Sequence, residues 1–233
     1  MHIKITWSYI AAFFALNMIM GELHEQVHIA TGYFICGCYG SRDFSVWSTC
    51  DKCAHPSVAF LATLAGPLFS CLLMWLGALL FCKSKDVVKQ SIGFSLLFAN
   101  LPFARIFTAS TGGGDEKVVI RFLLGENSPL LLSKIIASIL VLIICLPPVI
   151  IVFKNITNSN RIRIVSGFLT IPLIYGMLYH HLFLNKLLQN GIAAKTRFMG
   201  TPDLVLYHFV LMLLVFFLLR RKLSIIGGYQ ISI

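Results

Sequence analysis

The sequence predicts an all-α membrane protein, a polytopic bundle of about six transmembrane helices, and three observations carry that expectation. Of its 233 residues, 58% are hydrophobic and only 12% are charged, with a mean hydropathy of +0.84. A soluble domain carries about twice that share of charge and could not hide so much apolar surface from water. Apolar stretches of spanning length recur along the chain. None of them alternates with the period of two that a membrane β-barrel strand requires, which leaves helices. A disordered chain is excluded by the same composition. The net charge of +10 comes without the basic, aromatic-interleaved runs of a single-strand binder, so the expected partner is a lipid bilayer and not nucleic acid.

The stretches run over 5–30, 57–81, 91–110, 129–153, 164–184 and 203–219. The first follows Lys4 as a signal peptide might begin, yet no small-residue cleavage site follows and polar residues close it, so it reads as a span. The second holds Ala65-Gly66-Pro67. The third holds Asn100 and Pro102 and runs into Gly112-Gly113-Gly114. Pro147-Pro148 in the fourth and Pro172 in the fifth read as kinks. Gly112–114 and Gly227-Gly228 mark loops or chain ends. Residues 1–128, with the first three spans, hold the polar groups taken up below and are expected to form a three-helix core for any catalytic chemistry; 129–233 are expected to supply further membrane helices. Six spans put both termini on one side. That side holds ten Lys and Arg, and the opposite loops hold seven, which favours termini on the cytoplasmic side of a cell (inner) membrane.

Residues 24–28 read His24-Glu25-Gln26-Val27-His28. On a helix, positions i and i+4 share a face, so both imidazoles can reach one metal ion. Glu25 lies about 100° round the helix, where it reaches a water on the metal rather than the metal. Neutral imidazoles suit Zn2+, which lowers the pKa of bound water towards about 7; Glu25 is then placed as general base and acid. Carboxylates are rare in a chain this apolar, and one at the end of a span needs a partner. A third protein ligand is expected. Asp115 follows the glycine run at the end of the third span, which runs parallel to the first and so ends at the same membrane face. Alternatively, Asp115 and Glu116 cap a following helix. Glu116, Asp43, His55 and His180-His181 compete as ligands, and Arg105 is a partner for Asp115, Glu116 or a substrate carboxylate.

Between the first two spans lie Cys36-Gly37-Cys38 and Cys50-Asp51-Lys52-Cys53. These four cysteines can hold a second, structural zinc in a reducing compartment or form two disulfides in an oxidising one. Either staple stiffens the loop beside the HExxH helix. Cys71, Cys82 and Cys145 read as small hydrophobes. His180-His181 and His208 read as satisfied polar contacts within their spans.

Over roughly residues 15–120 the chain resembles the site-2 protease family of intramembrane zinc metalloproteases. The resemblance rests on His24-Glu25-Gln26-Val27-His28, on Ala65-Gly66-Pro67-Leu68-Phe69-Ser70, similar to the family's A-G-P-x-x-N element with Ser70 in place of Asn, and on Asn100-x-Pro102 followed by Gly114-Asp115. It implies a zinc metalloendopeptidase acting on a membrane protein or peptide, with His24, His28 and Asp115 on one catalytic zinc, Glu25 as base and Asn100 holding the substrate strand or the oxyanion. It also implies an active site near the cytosolic face, opposite to the charge bias. Two other classes keep the metal: a non-catalytic metal-binding scaffold, and a diiron lipid desaturase or hydroxylase drawing on His180-His181.

Overall fold

A computed structural model describes residues 1–125, 127–224 and 226; the Gly227-Gly228 pair lies outside the described residues. The chain is predominantly helical. Helix α1 spans Trp7–Cys36, α2 Phe60–Lys83, α3 Val87–Ala99, α4 Pro102–Thr111, α5 Asp115–Leu124, α6 Leu130–Asn155, α7 Arg161–Gly176, α8 Asn185–Gln189 and α9 Asp203–Leu223. A wide π-helical turn, Met177–Leu184, joins α7 to α8, and a two-stranded hairpin, Thr196–Phe198 with Thr201–Pro202, precedes α9.

Five segments are long and apolar enough to cross a membrane: Pro56–Lys83, Val87–Thr111, Leu130–Asn155, Arg161–Gln189 and Asp203–Leu223. They match five of the six expected spans. The remaining one, 5–30, is helical as α1 but is not among the five, because Asn17, Glu22, His24, Glu25, Gln26 and His28 lower its apolarity. Leu and Ile side chains stay exposed along α6, Leu131, Ile139 and Ile143 among them. An outward apolar surface of that size calls for lipid as solvent.

The helix ends follow from local chemistry. Thr6 caps α1 by accepting from the Tyr9 N–H at 3.2 Å, and Gly37, at φ 72°, ends it with its N–H donating to the Tyr33 carbonyl at 2.8 Å. Helices α2 and α3 cross backbone to backbone where two glycines meet. A Cβ on Gly77 would lie 2.7 Å from the Gly93 carbonyl oxygen, and one on Gly93 would lie 2.6 Å from the Phe81 nitrogen. Small residues permit this approach, as elsewhere in membrane bundles. Beside the crossing, Phe168 of α7 meets Phe13 of α1 and Phe94 of α3 edge-on, each at a centroid distance of 4.9 Å. This aromatic core ties α1, α3 and α7 together.

Two breaks position the site. Leu101, before Pro102, adopts φ 55°, an unfavourable region for a branched residue, and the proline prevents simple continuation of α3. The axis is redirected into α4, which carries Arg105. The chain then turns through Gly112 and Gly114, both at positive φ, and starts α5 at Asp115. Here α5 packs against α2 and α6, which brings the start of α5 to the end of α1 that bears the HExxH residues. At the opposite end of the bundle, the N-terminal amine donates to the Asn155 carbonyl at 2.7 Å and the Ile3 N–H to Asn158 Oδ1 at 2.7 Å.

Candidate metal centre

Three side chains far apart in sequence converge. His24 Nε2 and His28 Nε2 are 3.0 Å apart, and Asp115 Oδ2 lies 3.4 Å from each. Donors bound tetrahedrally to zinc at about 2.0–2.1 Å sit roughly 3.3 Å from one another. The triangle therefore fits three corners of a tetrahedral site. Among the described residues this is the only group of three such side chains that could hold a metal ion. The expected convergence of the first and third spans is present. Helix α5 begins at Asp115, and Gly114 makes no side-chain cap. Asp115 does not spend its carboxylate on capping.

Of the competing ligands, Glu116 and Asp43 are engaged elsewhere, and none of the others joins the group. Glu116 Oε1 accepts from Arg105 Nη1 at 3.1 Å. Asp43 Oδ1 accepts from the Ser45 and Val46 N–H groups at 2.6 and 2.7 Å, closing a turn. His180 meets His208 edge-on at 5.7 Å, beside Phe44 and Tyr179, but Nε2 of each ring is buried without a hydrogen-bond partner among the described residues, so these two histidines are not the satisfied polar contacts expected from the sequence. Among the described residues, His180 and His181 do not join His24 and His28 in one group.

Each imidazole is oriented from behind. His28 Nδ1 donates to the Ala62 carbonyl of α2 at 2.7 Å, which leaves Nε2 for a metal. His24 Nδ1 has two neighbours: Ser70 Oγ at 3.1 Å and Arg105 Nη2 at 2.7 Å. A guanidinium only donates, so the Arg105 contact makes Nδ1 an acceptor and leaves the proton on Nε2. For Nε2 to bind a metal, the proton moves to Nδ1 and is donated to Ser70, while Arg105 keeps Glu116. Ser70, which stands where the resembled family has Asn, is thus a fitting partner for His24. Gly66 has a steric duty. A Cβ there would run into the His28 ring and come within 2.7 Å of His24 Cε1.

The electrostatics favour an ionised Asp115. Burial opposes its charge, but the adjacent His24 and His28 imidazoles outweigh that and hold the carboxyl well below the usual carboxylate range. Glu25 is half-buried, and its carboxylate has no hydrogen-bond or ion-pair partner among the described residues. It is available for proton transfer.

The cysteine loop lies against this centre. Cys36 pairs with Cys53 and Cys38 with Cys50. Of the two expected arrangements the structure holds the disulfides. With all four sulfurs paired, no thiolate remains for the structural zinc. Arg42 forms a buried fork with Glu22 of α1, at 2.7 and 2.9 Å, and Gln26 adds a 2.8 Å bond to the same carboxylate. The turn from Arg42 to Trp47 sets the Trp47 indole flat on the His28 ring, at 5.4 Å and 10°. Gly32 makes room, since a Cβ there would lie 2.7 Å from the indole. Asn185 accepts from the Phe44 N–H at 3.1 Å and anchors the loop to the C-terminal helices.

Asn100 is not joined to this group. It caps α3, donates to the Leu96 carbonyl at 2.8 Å, and leaves its buried Oδ1 without a partner among the described residues. Sequence reasoning placed Arg105 near the acidic pair but missed Glu22 with Arg42, the Trp47 stack and the Ala62 carbonyl. The position of Glu22, two residues before His24, was the available signal.

No protein-family model, no curated protein and no solved structure matches this chain.

Proposed function

We propose that the protein is a membrane-embedded zinc metalloendopeptidase. The observation that carries the reading is the 3.0, 3.4 and 3.4 Å triangle of His24, His28 and Asp115 with an unpaired Glu25 next in sequence to His24. When bound, zinc supplies a Lewis acid that polarises the scissile carbonyl and lowers the pKa of water towards about 7. His24, His28 and Asp115 would hold it, with Ala62 fixing the His28 tautomer and Ser70 within reach of His24 Nδ1 once Arg105 releases it. Glu25 takes the proton of the attacking water and passes it to the leaving amine. Arg105, held by Glu116, places positive charge beside the centre, where a tetrahedral oxyanion or substrate carboxylate gains from it. The Trp47 loop covers His28 and must yield to admit a peptide in extended form.

Two independent features support one orientation, with α1 crossing the membrane beside the five apolar segments. The end where α1 begins and α9 finishes carries ten Lys and Arg against seven in the opposite loops, which favours the cytoplasm. The two disulfides at the other end favour an oxidising compartment. The substrate is then a polypeptide presented on the non-cytoplasmic side, opposite to what the family resemblance implies.

The test uses the purified full chain in lipid nanodiscs with casein and a fluorogenic peptide library as probes. The reading expects one zinc per chain by elemental analysis and cleavage by the wild type. Glu25→Gln keeps the zinc and loses cleavage. A zinc-loaded wild type that cleaves nothing, or an undiminished Glu25→Gln protein, contradicts it.

A further inference from the structure

A groove of about 320 Å³ opens between α1, α3 and α9 at the end of the bundle away from the metal centre. Leu16 of α1, Ile92 and Leu96 of α3 and Phe216 of α9 form its walls, and Arg220 and Arg221 stand at its mouth. Its one hydroxyl, on Ser95, is already engaged by Tyr9 Oη at 2.8 Å and by the Ser91 carbonyl at 2.9 Å. The two guanidinium groups are therefore the polar groups left to meet a ligand.

Charge decides which ligand fits. Among the described residues, neither arginine has a carboxylate partner. Arg220 rests over the Phe217 ring, 5.6 Å from its centroid. The one acidic residue at this end, Asp86, is occupied, because its carboxylate caps α3 by accepting from the Val88 N–H at 2.9 Å. Lys89 lies one turn before Ile92 on the same face of α3 and adds to the positive field. An apolar slot that begins among membrane-spanning helices and ends at paired, uncompensated arginines matches an amphiphile with an acyl chain and an anionic head. A zwitterionic lipid brings no net charge to Arg220 and Arg221, and a free phosphate leaves the apolar walls unused.

We propose that this groove is a binding site for an anionic phospholipid, whose acyl chain lies against Leu16, Ile92, Leu96 and Phe216 and whose phosphate sits between Arg220 and Arg221. The site depends on the membrane setting of the helices and not on the metal chemistry at the other end. It stands or falls separately from the protease reading.

The experiment is native mass spectrometry of the detergent-solubilised full chain, titrated with phosphatidylglycerol, phosphatidylcholine or inorganic phosphate. The wild type is expected to retain one phosphatidylglycerol at concentrations where phosphatidylcholine is lost. Arg220→Gln with Arg221→Gln lowers that retention roughly thirtyfold, the effect of two cations near a lipid surface. Ile92→Trp, at an exposed wall position, blocks the groove and lowers it without changing charge. Lys154→Gln with Arg161→Gln removes the same charge elsewhere on this face and leaves retention intact. Unchanged retention in the double arginine variant overturns the proposal. So does an equal loss in the Lys154 and Arg161 variant, which would mean diffuse attraction, or displacement of the lipid by inorganic phosphate alone, which would mean a simple anion site.

Discussion

Glu25 and Ser70 carry the sharpest consequences at the residue scale. Glu25 has no structural partner among the described residues, so replacing it should cost chemistry and not architecture. We expect Glu25→Gln to bind zinc with wild-type stoichiometry and to lose at least about a hundredfold in kcat, within the range for a lost general base. Ser70 Oγ is placed to accept a hydrogen bond from the Nδ1–H that His24 needs when Nε2 binds a metal. Ser70→Ala should weaken zinc binding by about 10–100-fold in a chelator competition, as second-shell losses do. Two glycines provide a steric contrast. Gly66→Ala pushes a methyl group into the two imidazoles and should abolish tight zinc binding. Gly21→Ala has nothing within 4 Å and should leave metal affinity unchanged while stabilising α1 by about 0.5–1 kcal/mol.

At the scale of elements, the loop between α1 and α2 acts as a clamp. Its two disulfides close segments separated by 17 and 12 residues, and the Arg42 fork fastens it to α1 beside the metal ligands. Replacing Cys38 and Cys50 by Ser should lower thermal stability, by about 2–4 kcal/mol. It should also speed zinc loss to a chelator, because Trp47 no longer rests firmly on His28. Trp47→Ala should speed zinc loss equally, with Cys82→Ser, outside the loop, as the unaffected control.

These elements also show what was legible beforehand. The HExxH helix and the five apolar segments announce themselves through period and composition, which local sequence encodes directly. The meeting of Asp115 with His24 and His28 follows from counting spans. The break at Leu101, the Trp47 stack and the Glu22 fork do not, because each depends on where a distant segment docks, and no local period records that. Two disulfides and a structural zinc demand the same four cysteines at the same spacing. Only the three-dimensional pairing separates them. Asn100 was read from resemblance alone; its Nδ2 donates within its own helix, and its buried Oδ1 has no partner among the described residues.

Over the whole molecule, charge and redox chemistry divide the two ends. Ten basic residues gather at the end where α1 begins and α9 finishes, and the disulfides lie with the candidate metal centre at the other. A C-terminal fluorescent-protein fusion should therefore light up in the cytoplasm. In intact cells, after mild reduction, Cys50 should react with a membrane-impermeant maleimide. A dark fusion together with a shielded Cys50 would reverse the orientation and move the substrate to the cytoplasmic side.

The central claim is that His24, His28 and Asp115 bind one zinc ion beside Glu25. Anomalous diffraction at the zinc edge from crystals of the zinc-loaded protein tests it most directly. A single strong peak about 2.0–2.1 Å from His24 Nε2, His28 Nε2 and Asp115 Oδ2 is the expected result. A peak ligated by other side chains, or none at these three, would contradict it.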